Sequence, residues 1–229
     1  MLAERAAAVS GRPLLVGLTG PVSVGKTTIA GMLADALRSE QGVRVSIVST
    51  DGFLFPNAEL AERGLSMQKG FPESFDTDRL NGFLADARAG ASDLRVPVYD
   101  HLTYDVLVGD ERVVEPSEVL IVEGVNALLP AHVAAYDVTI YVDAPDDAVV
   151  RWFIARLVEL FKDATDDPTS FYAPFANMTD AQIREFAQGA WDSINAVNLE
   201  NHIRSTRAHA DVVIEKAADH TIANVVVAG

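Results

Sequence analysis

The sequence contains no cysteine and no long unbroken apolar run. The first absence excludes disulfides, thiolate metal sites and cysteine nucleophiles. The second excludes a membrane-spanning helix, which needs about 18 or more consecutive apolar residues. The N-terminal stretch MLAERAAAVSGR carries Glu4 and Arg5 and lacks the apolar segment of a secretory signal peptide. We therefore expect a cytoplasmic protein with no membrane partner.

Basic residues are also scarce. The chain has 18 Lys and Arg residues against 33 Asp and Glu residues, a formal net charge of −15 at pH 7. Proteins that bind a nucleic-acid backbone need clustered basic residues, so we expect no nucleic-acid partner. If the substrates are anionic, the few basic side chains must be concentrated at the site. This gives weight to Lys26, Lys69, Arg156 and Arg207.

Short apolar runs of strand length alternate with helical patterns along the chain, with no internal repeat and no linker. This alternation is typical of a mostly parallel sheet with helices on both faces. Because 49% of the residues are hydrophobic, we expect one folded α/β domain over residues 1–229. The five predicted strands span 13–19, 43–49, 119–122, 138–142 and 212–214, and the predicted helices lie near 26–40, 76–89, 146–161 and 179–203.

Residues 98–115 break this alternation. Gly109-Asp110 is a turn signal between two extended segments, so we expect a β-hairpin excursion from the main sheet. Tyr99, His101 and Tyr104 are crowded together in the first segment. Crowded polar aromatic residues indicate a substrate pocket, and a hairpin exposed to solvent is the alternative.

The stretch GPVSVGKTT at 20–28 lies between a predicted strand and a predicted helix. It matches G-x-x-x-x-G-K-[ST], in which the backbone N–H groups and the helix N-terminus cradle phosphates. Lys26 can reach the β- and γ-phosphates, and the Thr27 hydroxyl can bind Mg²⁺. The residues predicted to hold the nucleotide are Gly20, Val22, Ser23, Val24, Gly25, Lys26, Thr27 and Thr28.

Other nucleotide-binding classes use the same loop. The sequence contains no Asn-Lys-x-Asp motif, which reads guanine in GTPase switches, and no Leu-Ser-Gly-Gly-Gln signature of transporter ATPases. These absences disfavour both classes.

Two acidic residues follow predicted strands at the edge where the ligands of open α/β sheets bind. Asp51 can accept the proton of an acceptor hydroxyl as it attacks the γ-phosphate, or it can be an ordinary turn aspartate. Glu123 can hold Mg²⁺, or it can be a solvated rim carboxylate. Arg156 can neutralise charge on the transferred phosphoryl group, or it can pair with Glu159 on the same helix.

Taken together, these stretches resemble one family, the bacterial type I pantothenate kinases of the uridine kinase and phosphoribulokinase group. The similarity runs in order from about residue 15 to about residue 222. The combination of TDGFLFPN and KGFPES identifies this family more specifically than the phosphate loop does. The stretches that carry it are GPVSVGKTT, STDGFLFPNAELAERGLSMQKGFPESFD, VPVYDHLTYD, IVEGVN, IYVDAP and WDSINAVNLENHIRSTRAHAD.

The resemblance implies that ATP, with Mg²⁺, phosphorylates the terminal hydroxyl of pantothenate, the first step of coenzyme A biosynthesis. It implies a homodimer and a lid over about 151–180. Asp51 matches the catalytic base, Lys26 and Arg156 the catalytic cations, Thr27 and Glu123 the Mg²⁺ ligands, and His220 an adenine contact. The positions that match pantothenate contacts or cover the substrate are Tyr99, His101, Tyr104, Asn195, Phe171 and Tyr172.

The sequence departs from the family pattern at several positions. Only about a dozen residues precede the first strand, where family members carry a helical segment, and Gly31 replaces a basic residue linked to inhibition by coenzyme A. Phe153 replaces a tyrosine, and Leu157 and Leu160 replace phenylalanines. A kinase for another small alcohol, such as a nucleoside or a sugar acid, is therefore the first alternative. A nucleotide- or coenzyme-A-binding regulator is the second.

Overall fold

The computed structural model of the protein describes residues 1–163 and 170–228, and its apolar runs form one twisted sheet. The strands of this sheet lie in the order β2 (Val45–Ser49), β5 (Val119–Glu123), β1 (Leu14–Thr19), β6 (Val138–Asp143), β7 (Val212–Lys216) and β8 (Ile222–Val227). The first five of these are mutually parallel, as the sequence predicts.

The central strand β1 is buried at all six positions because it has a neighbour on each side and helices above and below. Val16 pairs with Ile121 of β5 on one side and with Val138 of β6 on the other. A strand that is buried on both faces needs a continuous apolar run, which is the pattern that the sequence shows there.

The prediction of five strands was wrong by one. The sixth strand, β8, pairs antiparallel with β7 and forms an edge of the sheet. All six of its residues are exposed, and Asn224 interrupts its apolar residues. The strand is therefore held by main-chain pairing rather than by burial, and a hydrophobic pattern does not reveal such a strand.

The four predicted helices are present, with ends within a few residues of the prediction. The Asp76 carboxylate caps α4 (Thr77–Arg88) by accepting from the backbone N–H of Arg79, and Thr179 and Gln182 form a capping box on α6 (Asp180–Ala190). After Ala190, α6 continues to Ile203 with wider π-type turns. The helices are α1 (Leu2–Ala8), α2 (Lys26–Gln41), α3 (Asn57–Glu62), α4 (Thr77–Arg88), α5 (Asp146–Asp163) and α6 (Asp180–Ala190).

The hairpin is present as a separate two-stranded sheet, formed by β3 (Arg95–Asp100) and β4 (Asp105–Val113), but its turn is not where the sequence placed it. The chain reverses at 101–104, where Tyr104 adopts a left-handed conformation with φ of 53°. Gly109-Asp110 lies instead in a bulge of β4, because the pairing moves from Pro97 with Glu111 to Tyr99 with Val106. The glycine, with φ of 87°, permits the bulge.

The predicted lid over about 151–180 is described in part, since residues 164–169 lie outside the described residues. On either side of that gap, Phe161 of α5 stacks on Phe175 with ring centroids 4.9 Å apart and also contacts Tyr172. The two ends of the segment therefore pack on each other through aromatic rings. No helix in the described parts of the chain is both long and apolar enough to cross a membrane.

Candidate active site

The carboxyl ends of three adjacent parallel strands meet at one edge of the sheet. The phosphate loop follows β1, the turn with Asp51 follows β2, and Glu123 ends β5. Since β1 and β2 both pair with β5, the three segments are neighbours. This is the edge at which open α/β sheets bind their ligands.

The phosphate loop has the backbone geometry that its glycines permit. Gly20 and Gly25 have positive φ, and a side chain at Gly20 would overlap the carbonyl of Val142. Ser23 is also left-handed, with φ of 62°, and its buried hydroxyl has no partner among the described residues. A strained residue and an unsatisfied hydroxyl in a loop at a helix N-terminus fit a bound phosphate chain.

Lys26 lies over this loop. Its ammonium donates to the carbonyls of Gly20 and Pro21 at 3.2 and 2.9 Å. Burial lowers the pKa of Lys26, and the negative charges of Glu123 and Asp51 oppose that shift. The ammonium is therefore desolvated next to the loop that would receive phosphates, and the two nearby carboxylates only partly offset the effect of burial.

Thr27 and Glu123 form a pair suited to a magnesium ion. The Thr27 hydroxyl donates to Glu123 Oε1 at 2.9 Å. Burial raises the pKa of Glu123, while Lys26 and the bond from Thr27 act in the opposite direction. The described residues contain no group of three or more His, Cys, Asp or Glu side chains that could hold a metal. Mg²⁺ is commonly held by one or two protein oxygens together with substrate phosphates, so this pair suffices.

Asp51 lies in a short turn of 3₁₀-helix, Thr50–Phe53, whose position is set by contacts of Thr50 and Gly52. The fully buried Thr50 donates its hydroxyl to Asn126 Oδ1 at 2.5 Å. A side chain at Gly52 would overlap the carbonyl of Pro97 in β3. Within the described residues the Asp51 carboxylate forms no hydrogen bond or ion pair, and its charge acts on both Lys26 and Lys69. It is positioned by its backbone and left free to accept a proton.

The predicted substrate residues of the hairpin form an aromatic cluster with Phe171 and Tyr172, which lie in the predicted lid segment. The Tyr99 ring lies 5.1 Å from the His101 ring and 6.1 Å from the Tyr104 ring, and the Tyr104 ring lies 4.9 Å from the Phe171 ring. Tyr172 contacts both Tyr104 and Phe171. Burial raises the pKa of Tyr104 to about 12, so its hydroxyl is a neutral donor at pH 7.

Arg156 of α5 faces this region. Its charge lowers the pKa values of Lys26, Tyr104 and Tyr172, so the guanidinium lies within electrostatic range of the phosphate loop and of the aromatic cluster. No ion pair joins it to Glu159 or to any other residue that the structure describes. The alternative, an ion pair between Arg156 and Glu159 within α5, is therefore not present in the structure.

Two predicted residues do not join these groups. Asn195 donates to the carbonyl of Ala190 at 3.4 Å, within its own helical stretch, and no hydrogen bond or ring contact links it to the aromatic cluster in the described residues. His220, in the turn between β7 and β8, stacks on Trp152 of α5 with ring centroids 4.0 Å apart. Its place beside the β7 end of the sheet is compatible with the adenine contact that the resemblance implies.

Lys69, which the sequence analysis noted without a role, lies against Tyr104 of the aromatic cluster. Its ammonium donates to Asn57 Oδ1 at 2.7 Å and to the Tyr104 carbonyl, and it lies 4.1 Å from the centre of the Tyr104 ring. Burial lowers its pKa to about 8, opposed by Asp105 and Asp51. The scarcity of lysine was the available signal, since the chain has only four lysines, and Lys26, Lys69 and Lys216 lie at this edge of the fold.

Thr50, Asn126 and Asn198 were not singled out from the sequence. Asn198, three residues beyond the predicted Asn195, donates to the carbonyl of Gly70 at 2.8 Å, and its buried Oδ1 has no partner in the described residues. The motif IVEGVN contains Asn126, but nothing in the pattern shows that its partner is Thr50. Only tertiary structure identifies these contacts.

The chain is similar to known kinases over most of its length. Residues 15–159 match the model of the phosphoribulokinase / uridine kinase family. The pantothenate kinase of Clavibacter michiganensis is 42% identical over 232 residues, covering 98% of this chain and 72% of the relative. The pantothenate kinase of Sorangium cellulosum is 45% identical over 222 residues, covering 93% and 72%.

Solved structures show the same fold at low sequence identity. D-glycerate 3-kinase from Cryptococcus neoformans superposes with a TM-score of 0.65 at 15% identity, covering 99% of this chain and 95% of that one. Phosphoribulokinase from Rhodobacter sphaeroides gives a TM-score of 0.54 at 15% identity, covering 91% and 71%. The phosphate loop, the fold and the similarity over nearly the whole chain lead to one assignment: the chain is a P-loop kinase of the phosphoribulokinase / uridine kinase family and belongs to the pantothenate kinases within it.

Proposed function

We propose that the protein transfers the γ-phosphoryl group of ATP to the terminal hydroxyl of pantothenate. The observation that carries the proposal is the unpaired Asp51 carboxylate, held within electrostatic range of Lys26 in the phosphate loop and of Lys69 beside the aromatic cluster. A base in this place serves an acceptor alcohol. A protein that only binds nucleotide has no need of one.

In the proposed mechanism, Asp51 orients the acceptor hydroxyl and takes its proton while the hydroxyl oxygen attacks the γ-phosphorus. The bond from the γ-phosphorus to the bridging oxygen breaks, and ADP leaves with the electron pair. Lys26 and Arg156 stabilise the charge on the transferred group. Thr27 and Glu123 would hold Mg²⁺, which neutralises phosphate charge when bound.

The aromatic cluster provides the acceptor side of the site in this proposal. Tyr99, His101, Tyr104, Phe171 and Tyr172 form a wall that excludes water, and the neutral Tyr104 hydroxyl can donate to the substrate. Lys69 supplies a positive charge next to that wall, which suits the carboxylate of pantothenate. By the resemblance to pantothenate kinases, the proposal also includes a homodimer in the cytoplasm.

A second candidate is a kinase for another small alcohol. It is favoured by Phe153, which is buried and lies 5.6 Å from the Trp191 ring, so this position offers an acceptor no hydroxyl. Sites that hydrogen-bond a substrate group discriminate strongly, whereas apolar walls discriminate weakly. Replacement of one polar group can therefore change the acceptor without changing the chemistry.

The release of ADP, measured with a panel of pantothenate, nucleosides and small sugar acids, tests the proposal. Turnover with pantothenate alone supports it. Turnover with a different alcohol selects the second candidate, and nucleotide binding without turnover on any acceptor contradicts both.

A further inference from the structure

A second lysine, besides Lys26, contacts the phosphate loop. Lys216 ends β7, is 6% exposed, and donates to the carbonyl of Val24 at 2.8 Å. A Cβ atom at Gly25 would lie 2.9 Å from its ammonium. The ammonium thus fills the space beside Gly25, the residue that precedes α2.

The charge of Lys216 is poorly compensated for a buried group. Among the described residues no carboxylate pairs with it, and the Val24 carbonyl is its one hydrogen-bond acceptor. Its remaining compensation is the ring of Trp152, whose centre lies 4.9 Å from the ammonium. Burial accordingly lowers the pKa of Lys216. An apolar side chain generally fills a buried position at lower cost, so a need for stability alone does not account for a lysine here.

The two groups that Lys216 contacts belong to two separate parts of the site. Val24 lies in the phosphate loop, whereas Trp152 lies in α5, one helical turn before Arg156. Trp152 also stacks on His220, which lies in the turn that follows Lys216. The ammonium therefore contacts both the loop that holds the phosphates and the helix that carries the arginine.

We propose that Lys216 is a positioning residue, which holds the phosphate loop and the Arg156 helix at a fixed separation suited to a nucleoside triphosphate. The inference rests on the proposed use of ATP as the phosphoryl donor. It does not depend on which alcohol accepts the phosphoryl group. Loss of the ammonium weakens the hold on the triphosphate and misplaces Arg156, while the acceptor wall around Tyr99 and Tyr104 stays intact.

The test uses the full chain with Lys216→Met, Lys216→Arg, Trp152→Leu and the double variant Lys216→Met/Trp152→Leu. Arg44→Met, at an exposed position before β2, serves as the control for loss of a positive charge. Calorimetric titration with Mg²⁺ and a non-hydrolysable ATP analogue gives nucleotide affinity without an acceptor. Steady-state kinetics give kcat and both KM values, and thermal unfolding shows that each variant is folded at the assay temperature.

We expect Lys216→Met to lose about tenfold in nucleotide affinity and about tenfold in kcat, with the KM for the acceptor within about twofold of wild type. Arginine keeps the positive charge and the hydrogen-bond donors, so Lys216→Arg retains most of the nucleotide affinity and most of kcat. Because the lysine acts through the tryptophan, the double variant loses less than the product of the single losses. Arg44→Met behaves as wild type.

The inference is overturned if folded Lys216→Met binds the analogue and turns over as wild type does, or if its acceptor KM rises as much as its nucleotide Kd. If Lys216→Met fails to fold, Lys216→Arg and Trp152→Leu decide. Trp152→Leu with unchanged kcat and nucleotide affinity also overturns it. A wild-type protein that binds the analogue but does not phosphorylate pantothenate contradicts the proposed acceptor and leaves this inference standing.

Discussion

The Thr50–Asn126 hydrogen bond offers a sharp test of how the fold positions Asp51. Thr50 is 0% exposed and Asn126 is 2% exposed, and the bond between them is 2.5 Å long. Replacing Thr50 with the isosteric valine leaves Asn126 Oδ1 buried without a donor. The amide Nδ2 of Asn126 already lacks a partner in the described residues, so the side chain cannot compensate by another bond that the structure shows.

The cost follows from that burial. An unsatisfied buried acceptor costs about 1–3 kcal/mol. For a chain of this size the cost corresponds to a fall in Tm of roughly 2–12 °C. Since Asp51 is the next residue, a shift of its backbone misplaces the base, and displacement by 1 Å can cost on the order of 10²-fold in rate. We therefore expect Thr50→Val to lower both Tm and kcat while ATP affinity stays unchanged.

Thermal unfolding and steady-state kinetics measure these effects. Thr50→Ser keeps the hydroxyl and serves as the control, with kcat close to wild type. The double variant Thr50→Val/Asn126→Leu removes both polar partners and should regain stability relative to Thr50→Val, because no buried oxygen is left unpaired. A double variant that is no more stable than Thr50→Val would refute the reasoning from the unsatisfied oxygen. An unchanged kcat in Thr50→Val would refute the link to Asp51.

Three further predictions follow from other groups. The pKa of Lys69 is about 8, so its charge is lost as the pH rises through 8. We therefore expect the KM for pantothenate to rise between pH 7 and pH 9 in wild type and to stay level in Lys69→Arg. Equal pH profiles of KM in the two proteins would contradict the role of Lys69. His132 is buried, donates through Nδ1 to Asn81 Oδ1, and has a pKa lowered by burial. The unfolded chain, with a histidine pKa of about 6.5, binds a proton that the folded protein does not, so the free energy of unfolding falls below pH 6.5 by at most about 1.4 kcal/mol per pH unit. Denaturant unfolding at pH 7.0 and pH 5.5 should show a smaller fall in His132→Asn than in wild type. An equal fall would contradict the assignment of this pH dependence to His132. A side chain at Gly124 would overlap the Thr50 hydroxyl, so Gly124→Ala should express less folded protein than the control Gly82→Ala, which meets open space in α4, as measured by soluble yield and circular dichroism.

The sequence was informative where one residue type serves one physical purpose. Strand β1 is continuously apolar because it is buried on both faces, and the glycines at 20 and 25 are required by positive φ. These features predicted the parallel sheet and the phosphate loop. The pattern failed at Gly109, because a glycine with positive φ permits either a turn or a bulge, and only strand pairing distinguishes the two.

The site depended more on tertiary contacts. Asp51 and Glu123 were identified because strand ends converge, which is a property of the sheet topology. Lys216 and Trp152 lie far apart in the chain, and no spacing rule predicts that the ammonium lies against the indole ring or that it bonds to Val24. Long-range contacts between single residues of this kind leave no periodic trace in a sequence.

Product analysis with wild type and Asp51→Asn tests the central claim most directly. Each protein is incubated with ATP, Mg²⁺ and pantothenate, and the phosphorylated product is quantified by mass spectrometry. Asparagine keeps the size of the side chain but cannot accept the proton. The account predicts phosphopantothenate from wild type and a rate at least about 10²-fold lower from Asp51→Asn. No phosphopantothenate from wild type, or an equal rate from Asp51→Asn, would contradict it.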